Sequence, residues 1–443
     1  MASTTAAQLM IDARTRWRVV GAASLGTVFE WFDFFLYGSL VTVFGALFFP
    51  PGHATAGLLA ALAAFGAGFV VRPLGAVLFG HLGDRIGRKT TFLATVALMG
   101  AATVAIGLLP TYADIGIAAP VLLVLMRLLQ GLAVGGEFGG AATYVAEYAA
   151  RDRRAFYTSF IMATGTLGLI LALLAIYACR SWLGEAAFST WGWRLPFLAS
   201  VLLLWFSIHI RLRLDESPLF AGIRARGAVA RAPLGEVFGQ SQHRRAMWIA
   251  FVCLTAAQGV VWNAGQFYPL VHLQTALKLD VGQSALLMSG ALLLALPLFP
   301  LAGWLADRYG RRPLVIGGFA LAALVLLPLF HWLGIAAGPP PSLPTMLAAL
   351  VALAVPVALV CAPASAFLVE LFPTRVRYTA MGFPYHLGNG WFGGFMPFAT
   401  AALSLHFEHP LAGLYYPIAM CVLCGLCAVW LMPETRDRDL ASL

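Results

Sequence analysis

A 443-residue chain in which 60 % of side chains are hydrophobic and 11 % charged lies far from the balance of a water-soluble protein. Its apolar blocks run on for much longer than the about 10 residues of a membrane β-barrel strand, so the expected class is all-α, built from bilayer-spanning helices of roughly 20 residues. The net charge of +9 is explained by membrane topology, because the cations gather in one set of loops, and nucleic acid is excluded as a partner.

The first 17 residues are short and polar, and the first apolar block, 18–48, carries Glu30 and Asp33. A signal-peptide core would not, so no cleaved segment is expected. The block at 56–81 holds Arg72 before Pro73; 90–110 comes next, and 120–148 holds Arg127 and Glu137. Blocks at 155–179 and 194–214 complete a first set of six. Residues 215–244, basic with Gly and Pro, are the longest hydrophilic stretch and read as a cytoplasmic linker. The second set runs 245–271, 281–305, 313–335, 344–370, 378–404 and 410–432. Twelve helices in two pseudo-symmetric six-helix bundles are therefore expected, with 1–214 and 245–443 as the two halves. The prolines from Pro339 to Pro341, with Pro344, end a helix because proline lacks an amide donor.

With the N-terminus inside, 23 Lys and Arg residues fall in cytoplasmic segments and only Arg180, Arg194 and Lys278 on the opposite face. Lys and Arg concentrate in loops that stay cytoplasmic, so both termini are placed there.

The two halves repeat at an offset of 223 residues. Gly303, Asp307 and Arg311 map onto Gly80, Asp84 and Arg88, Glu370 onto Glu147, and Arg377 onto Arg154. The motif Gly80-His81-Leu82-Gly83-Asp84-Arg85-Ile86-Gly87-Arg88 connects the second and third blocks. Its Asp suits a helix N-terminus, and its Arg can reach Glu147 at the end of the fourth. Asp84, Arg88, Glu147, Asp307, Arg311 and Glu370 are thus expected to form gates that close in one state and open in another. Such repeats in an apolar chain are how many secondary transporters are built.

Cysteine and nucleotide chemistry are not indicated. Cys421, Cys424 and Cys427 lack the partners of a metal site and read as small packing residues. The two lysines, Lys89 and Lys278, do not follow glycine, so no phosphate-binding Gly-Lys loop exists. No metal or organic cofactor is expected, and no enzyme chemistry.

Chemistry should lie where the halves differ. The offset carries Asp33, Arg72, Arg127 and Glu137 onto Ala256, Ala295, Leu350 and Val360, and Glu30 onto Cys253. Charges inside hydrocarbon cost about 3 kcal/mol on insertion scales and mark pathways or partners. Asp33 and Arg127 are candidates for a cross-helix pair: a proton-coupling pair, a substrate clamp, or a structural ion pair. Glu30 and Glu137 are alternative proton sites, and Arg72 either contacts substrate or pairs with an acid. In the second half Gln258, Trp262, Asn263, Gln266 and Tyr268, with Tyr385, His386 and Asn389, offer hydrogen bonds without net charge.

The Gly-x-Leu-x-Asp-Arg-x-Gly-Arg run, its second copy, and Arg127-Leu128-Leu129-Gln130-Gly131 resemble signature motifs of the major facilitator superfamily. Glu30-Trp31-Phe32-Asp33-Phe34, Arg72-Pro73-Leu74-Gly75, Gly135-Gly136-Glu137-Phe138-Gly139-Gly140, Trp191-Gly192-Trp193-Arg194-Leu195-Pro196-Phe197, Glu216-Ser217-Pro218 and Glu370-Leu371-Phe372-Pro373 resemble its metabolite:proton symporters. Thr27 stands where those relatives usually carry Asn, and Phe32 where they carry Tyr. The resemblance implies a central cavity lined largely by helices 1, 4, 7 and 10 and their neighbours, rocker-type alternating access driven by the proton gradient, a bacterial inner membrane location and a monomer as the working unit. Proton-coupled relatives with an Asp in helix one and an Arg in helix four support the Asp33–Arg127 pairing.

Two intramembrane arginines favour an anionic ligand, recognised mainly by Arg127 with help from Arg72, so import of a mono-, di- or tricarboxylate with protons is the expected function. The alternatives are a proline- or betaine-type symporter, for which Trp31, Phe32, Tyr37 and Trp262 would cage the cation, a proton-antiport exporter, and a membrane receptor that does not transport. The short tail after the last block speaks against an osmosensor.

Overall fold

The computed structural model describes residues 12–86, 88–136, 138–212 and 233–440. Among the described residues twelve main helices follow in order: α1 (Ala13–Ser39), α2 (Ala54–Gly83), α3 (Arg88–Leu108), α4 (Ala118–Tyr148), α5 (Arg154–Leu183), α6 (Arg194–Leu212), α7 (Ser241–Thr275), α8 (Val281–Tyr309), α9 (Arg311–Ala336), α10 (Leu343–Leu371), α11 (377–406) and α12 (Tyr415–Leu431). Among the described residues nine helices are long and apolar enough to cross a bilayer, and α6 makes a tenth when joined to Glu185–Gly192 across a 60° bend. Of the other two, α3 is described as an apolar helix over Leu93–Leu108, since the side chains at 84–89 and 92 lie outside the described residues, and α11 is interrupted at Phe395.

Asp12 starts α1 by accepting the amide of Thr15 at 3.0 Å, and hydrogen bonds to Thr15 hold its carboxyl below the ordinary aspartate range. Asp280 caps α8 in the same way through Gly282 and Gln283. α7 and α11 carry π-helical turns at Phe251–Thr255, Asn263–Phe267 and Gly388–Gly393. These turns shift the side-chain register, a device common at functional sites.

Within the first half α1 packs along α5, and α2 lies so close to α4 that a Cβ on Gly131 would enter the carbonyl of Gly68. Small residues permit this approach where lipid gives apolar side chains no reason to prefer protein. The halves meet along α2–α11 and α5–α8, which the 223-residue offset makes equivalent pairs, and along α5–α10. The leading glycine of each repeated motif sits in this seam. A Cβ on Gly80 would stand 3.2 Å from the Thr379 Cα, and one on Gly303 2.7 Å from the Ala155 carbonyl.

Of the expected linker, 215–232 lies outside the described residues. The rest of it is helical: Pro233–Gly239 forms a short helix, α7 already begins at Ser241, and Glu236 pairs with Arg375 at 2.8 Å.

Candidate functional site

A cavity lies between the halves, walled by Trp31, Phe35, Phe69, Arg72, Ile161, Met162 and Gly165 from the first and Gln258, Gly259, Trp262, Asn263, Tyr385 and Asn389 from the second. Among the described residues its walls come from helices α1 and α7, as expected, and from their neighbours α2, α5 and α11, with no lining residue on α4 or α10. Cross-half contacts flank it on both sides. Towards the end away from the termini, Phe35 stacks on Trp262 at 4.9 Å, Phe65 on Phe267 at 4.8 Å, and Thr166 donates to Gln266 at 2.7 Å. Farther out Thr42 meets Gln274 at 3.2 Å and Arg180 meets Asp280 at 2.6 Å.

Arg72 is the cation of the cavity wall. α2 breaks at Val71, just before Arg72-Pro73, where proline cannot donate to the preceding turn. Buried to 1 % exposure, its guanidinium carbon lies 3.8 Å from the Phe69 ring centroid, 4.3 Å from Phe34 and 5.4 Å from Trp31. Its Nε and Nη2 make no hydrogen bond, and it forms no ion pair among the described residues. A buried guanidinium held by ring faces alone is left with donors for a ligand.

Arg127 lies elsewhere, which corrects its expected place as the principal ligand residue. It does not line the cavity. Its Nη1 donates to the Gln130 side chain at 2.6 Å and to the Phe34 carbonyl at 3.5 Å, and the rings of Phe34 and Tyr37 cover it at 4.1 and 4.6 Å. Nor does it pair with Asp33. The Asp33 carboxyl faces Thr103 of α3 and Ser200 of α6, and its Oδ1 has no hydrogen-bond partner. Gln130 Nε2 donates to Thr103 Oγ1 at 2.8 Å. Thr103 in turn donates to the Met99 carbonyl at 2.9 Å, so Arg127 is tied to Gln130 and Thr103 beside Asp33 without a hydrogen-bond chain that reaches its carboxyl, and neither Gln130 nor Thr103 stood out as functional in the sequence.

From the second half, Gln258, Trp262, Asn263, Tyr385 and Asn389 reach the cavity as anticipated. Asn389 Nδ2 donates to Gln258 Oε1 at 2.8 Å, and Asn263 Nδ2 to its own helix at Gly259, leaving Asn263 Oδ1 buried without a partner. Three candidates are spent on packing instead. Gln266 bonds Thr166, Tyr268 lies between His272 and Phe330, and His386 packs at the edge of Tyr385. Glu30 is buried on α1 but does not line the cavity. Of the four cage aromatics, only Trp31 and Trp262 do; Tyr37 donates to the Ala61 carbonyl beneath Arg127, and Phe32 packs in the core. Glu137 and the side chains of Asp84 and Arg88 lie outside the described residues.

At the end carrying both termini, Glu370 receives Arg311 Nη2 at 2.9 Å and Arg154 Nη1 from across the seam at 2.7 Å. Arg377 answers in the opposite direction, its Nη1 3.1 Å from Glu147 Oε1. Asp307 pairs with Arg311 at 2.9 Å and accepts the amides of Ala155 and Phe156 at 3.0 and 2.8 Å, so it caps the first turn of α5 from the other half. Arg154 and Arg377 were visible in the repeat but not recognised as gate residues.

Residues 19–235 match the model of the sugar (and other) transporter family, and residues 250–442 that of the major facilitator superfamily. The inner membrane metabolite transport protein YhjE of Escherichia coli (strain K12) is 35 % identical over 432 residues, 96 % of each chain. The chain belongs to the major facilitator superfamily. Within this superfamily it is also similar to the alpha-ketoglutarate permease of the same organism, 33 % identical over 97 % of this chain and 96 % of that one. The glycine betaine/proline/ectoine/pipecolic acid transporter OusA of Dickeya dadantii (strain 3937) is 31 % identical over 97 % and 85 %. Among solved structures, the proton:xylose symporter XylE bound to 6-bromo-6-deoxy-D-glucose superposes with a TM-score of 0.73 at 19 % identity, covering 97 % of this chain and 98 % of that one. The major facilitator fold and a role as a membrane metabolite transporter, not an enzyme, are thereby established.

Proposed function

We propose that the protein imports a small organic acid together with protons across the bacterial inner membrane, by alternating access, with both termini cytoplasmic and a single chain as the working unit. The observation that carries this reading is Arg72: a buried cation with unused donors in the wall of an otherwise neutral cavity. A carboxylate supplies both the charge and the paired acceptors that a guanidinium fits.

Proton coupling is supported by Asp33, a buried carboxyl with no cation against it. When Asp33 is ionised its charge lies beside Thr103, to which Gln130 holds Arg127; when it is protonated that negative charge is gone and the net charge around the ligand becomes more positive. Alternating access then requires the reciprocal arginine–glutamate bridges at the terminal-bearing end and the aromatic contacts at the other to break in turn. Purified protein tests this reading directly. An organic acid should bind the wild type, and Arg72→Gln should weaken it at least about tenfold, the loss of one charge-assisted hydrogen bond. Binding of betaine in preference to every acid, unaffected by Arg72→Gln, would refute it.

A further inference from the structure

The cavity carries information on which acid it takes, beyond its being an acid. Among the described residues one cation lines it, which answers one carboxylate. Its aromatic wall has a common orientation: Trp31 and Phe35, one helical turn apart on α1, lie 5.3 Å apart at 15°, Phe35 and Trp262 of α7 4.9 Å at 15°, and the two indoles 6.5 Å at 24°. Rings within 24° of parallel present one stacking direction to a flat ligand, at separations where offset stacking is favourable. A quaternary amine is held instead by rings set around it on several sides.

Two further features fit a ring. At Gly165 of α5, a Cβ would stand 3.7 Å from Trp262 and 3.8 Å from Trp31, so backbone and not side chain borders both indoles where they face the cavity. Asn263 Oδ1 is a buried acceptor left without a donor, since Asn263 Nδ2 is committed to Gly259. A buried carbonyl without a partner costs free energy that a ligand hydroxyl recovers.

Taking the organic-acid reading as given, we propose that the substrate is a ring-bearing hydroxylated monocarboxylic acid. Its carboxylate sits on Arg72, its ring lies along Trp31, Phe35 and Trp262, and a hydroxyl donates to Asn263. Gly165 sets the width of the slot.

The test uses the full chain in lipid nanodiscs, with binding of 4-hydroxybenzoate, benzoate, succinate, 2-oxoglutarate and glycine betaine measured by calorimetry. 4-Hydroxybenzoate should bind at least tenfold more tightly than either acyclic acid and more tightly than benzoate. Asn263→Ala should erase the difference between the two ring acids. Gly165→Val should weaken both at least tenfold, and Trp262→Leu serves the same purpose if the valine variant does not fold. Tighter binding of succinate or 2-oxoglutarate, dependent on Arg72, would overturn the ring inference and leave the organic-acid reading standing. Binding of betaine alone would overturn both. Absence of saturable binding by either ring acid, or ring acids indifferent to Gly165→Val and Trp262→Leu, would overturn the inference.

Discussion

Arg154 and Arg377 are 223 residues apart and reach across the seam in opposite directions, each to the glutamate that the repeat assigns to the other's half. Arg154 lies 2.7 Å from Glu370 and Arg377 3.1 Å from Glu147. All four side chains are buried, so each bridge is made in a medium that screens it little, and neither charge has water to fall back on when its partner leaves. Reciprocity means that the two bridges break together when the halves part at this end.

Arg377→Gln should therefore bias the protein towards opening at the terminal-bearing end. Spin labels placed on either side of this seam should report a longer mean distance, with transport rate falling at least about tenfold, the loss expected when one partner of a buried pair is removed. Ligand affinity should stay within a few-fold. Unchanged distances in a folded variant would show that the bridge is not a gate.

Asp307 ties the same end differently, through the first amides of α5. Asp307→Asn keeps the shape but removes the charge that favours a helix N-terminus, so the exchange cycle should slow while binding persists. Loss of ligand binding in a folded variant would move Asp307 out of the gate.

For the proton, Asp33→Asn should abolish uphill uptake driven by a pH gradient while exchange at equal pH on both sides of a proteoliposome survives. Normal accumulation by this variant would pass the coupling role to Glu30 or Glu137.

The α2–α4 contact predicts a stability effect separate from function. Gly131→Val places a branched side chain against the Gly68 backbone, and overpacking of this kind costs about 1–3 kcal/mol. A lower Tm than that of wild type in the same detergent is expected, and an unchanged Tm would show that the helices can separate without loss.

Much of this architecture was legible in the sequence because composition and repeat act at long range. Continuous apolar blocks marked the helices, and the 223-residue offset located the Asp307, Arg311 and Glu370 cluster. The offset equates positions but does not say which face each presents, so Arg154 and Arg377 were seen as equivalent without being seen as partners. Between the two intramembrane arginines the sequence favoured Arg127, and the structure favours Arg72. What separates them is local: a break before Pro73 sets Arg72 in the cavity wall, whereas Gln130, one turn from Arg127, ties that guanidinium away from it. The π-turns that carry Asn263 and Asn389 left no periodic signal.

Proton-coupled import by way of Asp33 and Arg72 can be read from uptake of labelled organic acids into proteoliposomes with an outside pH of about 6 and an inside pH of about 8. At least one acid should accumulate above its equilibrium level, and the accumulation should be abolished by a protonophore, by Asp33→Asn and by Arg72→Gln. Accumulation that ignores the pH gradient, or that survives Arg72→Gln unchanged, would contradict proton-coupled import by this route.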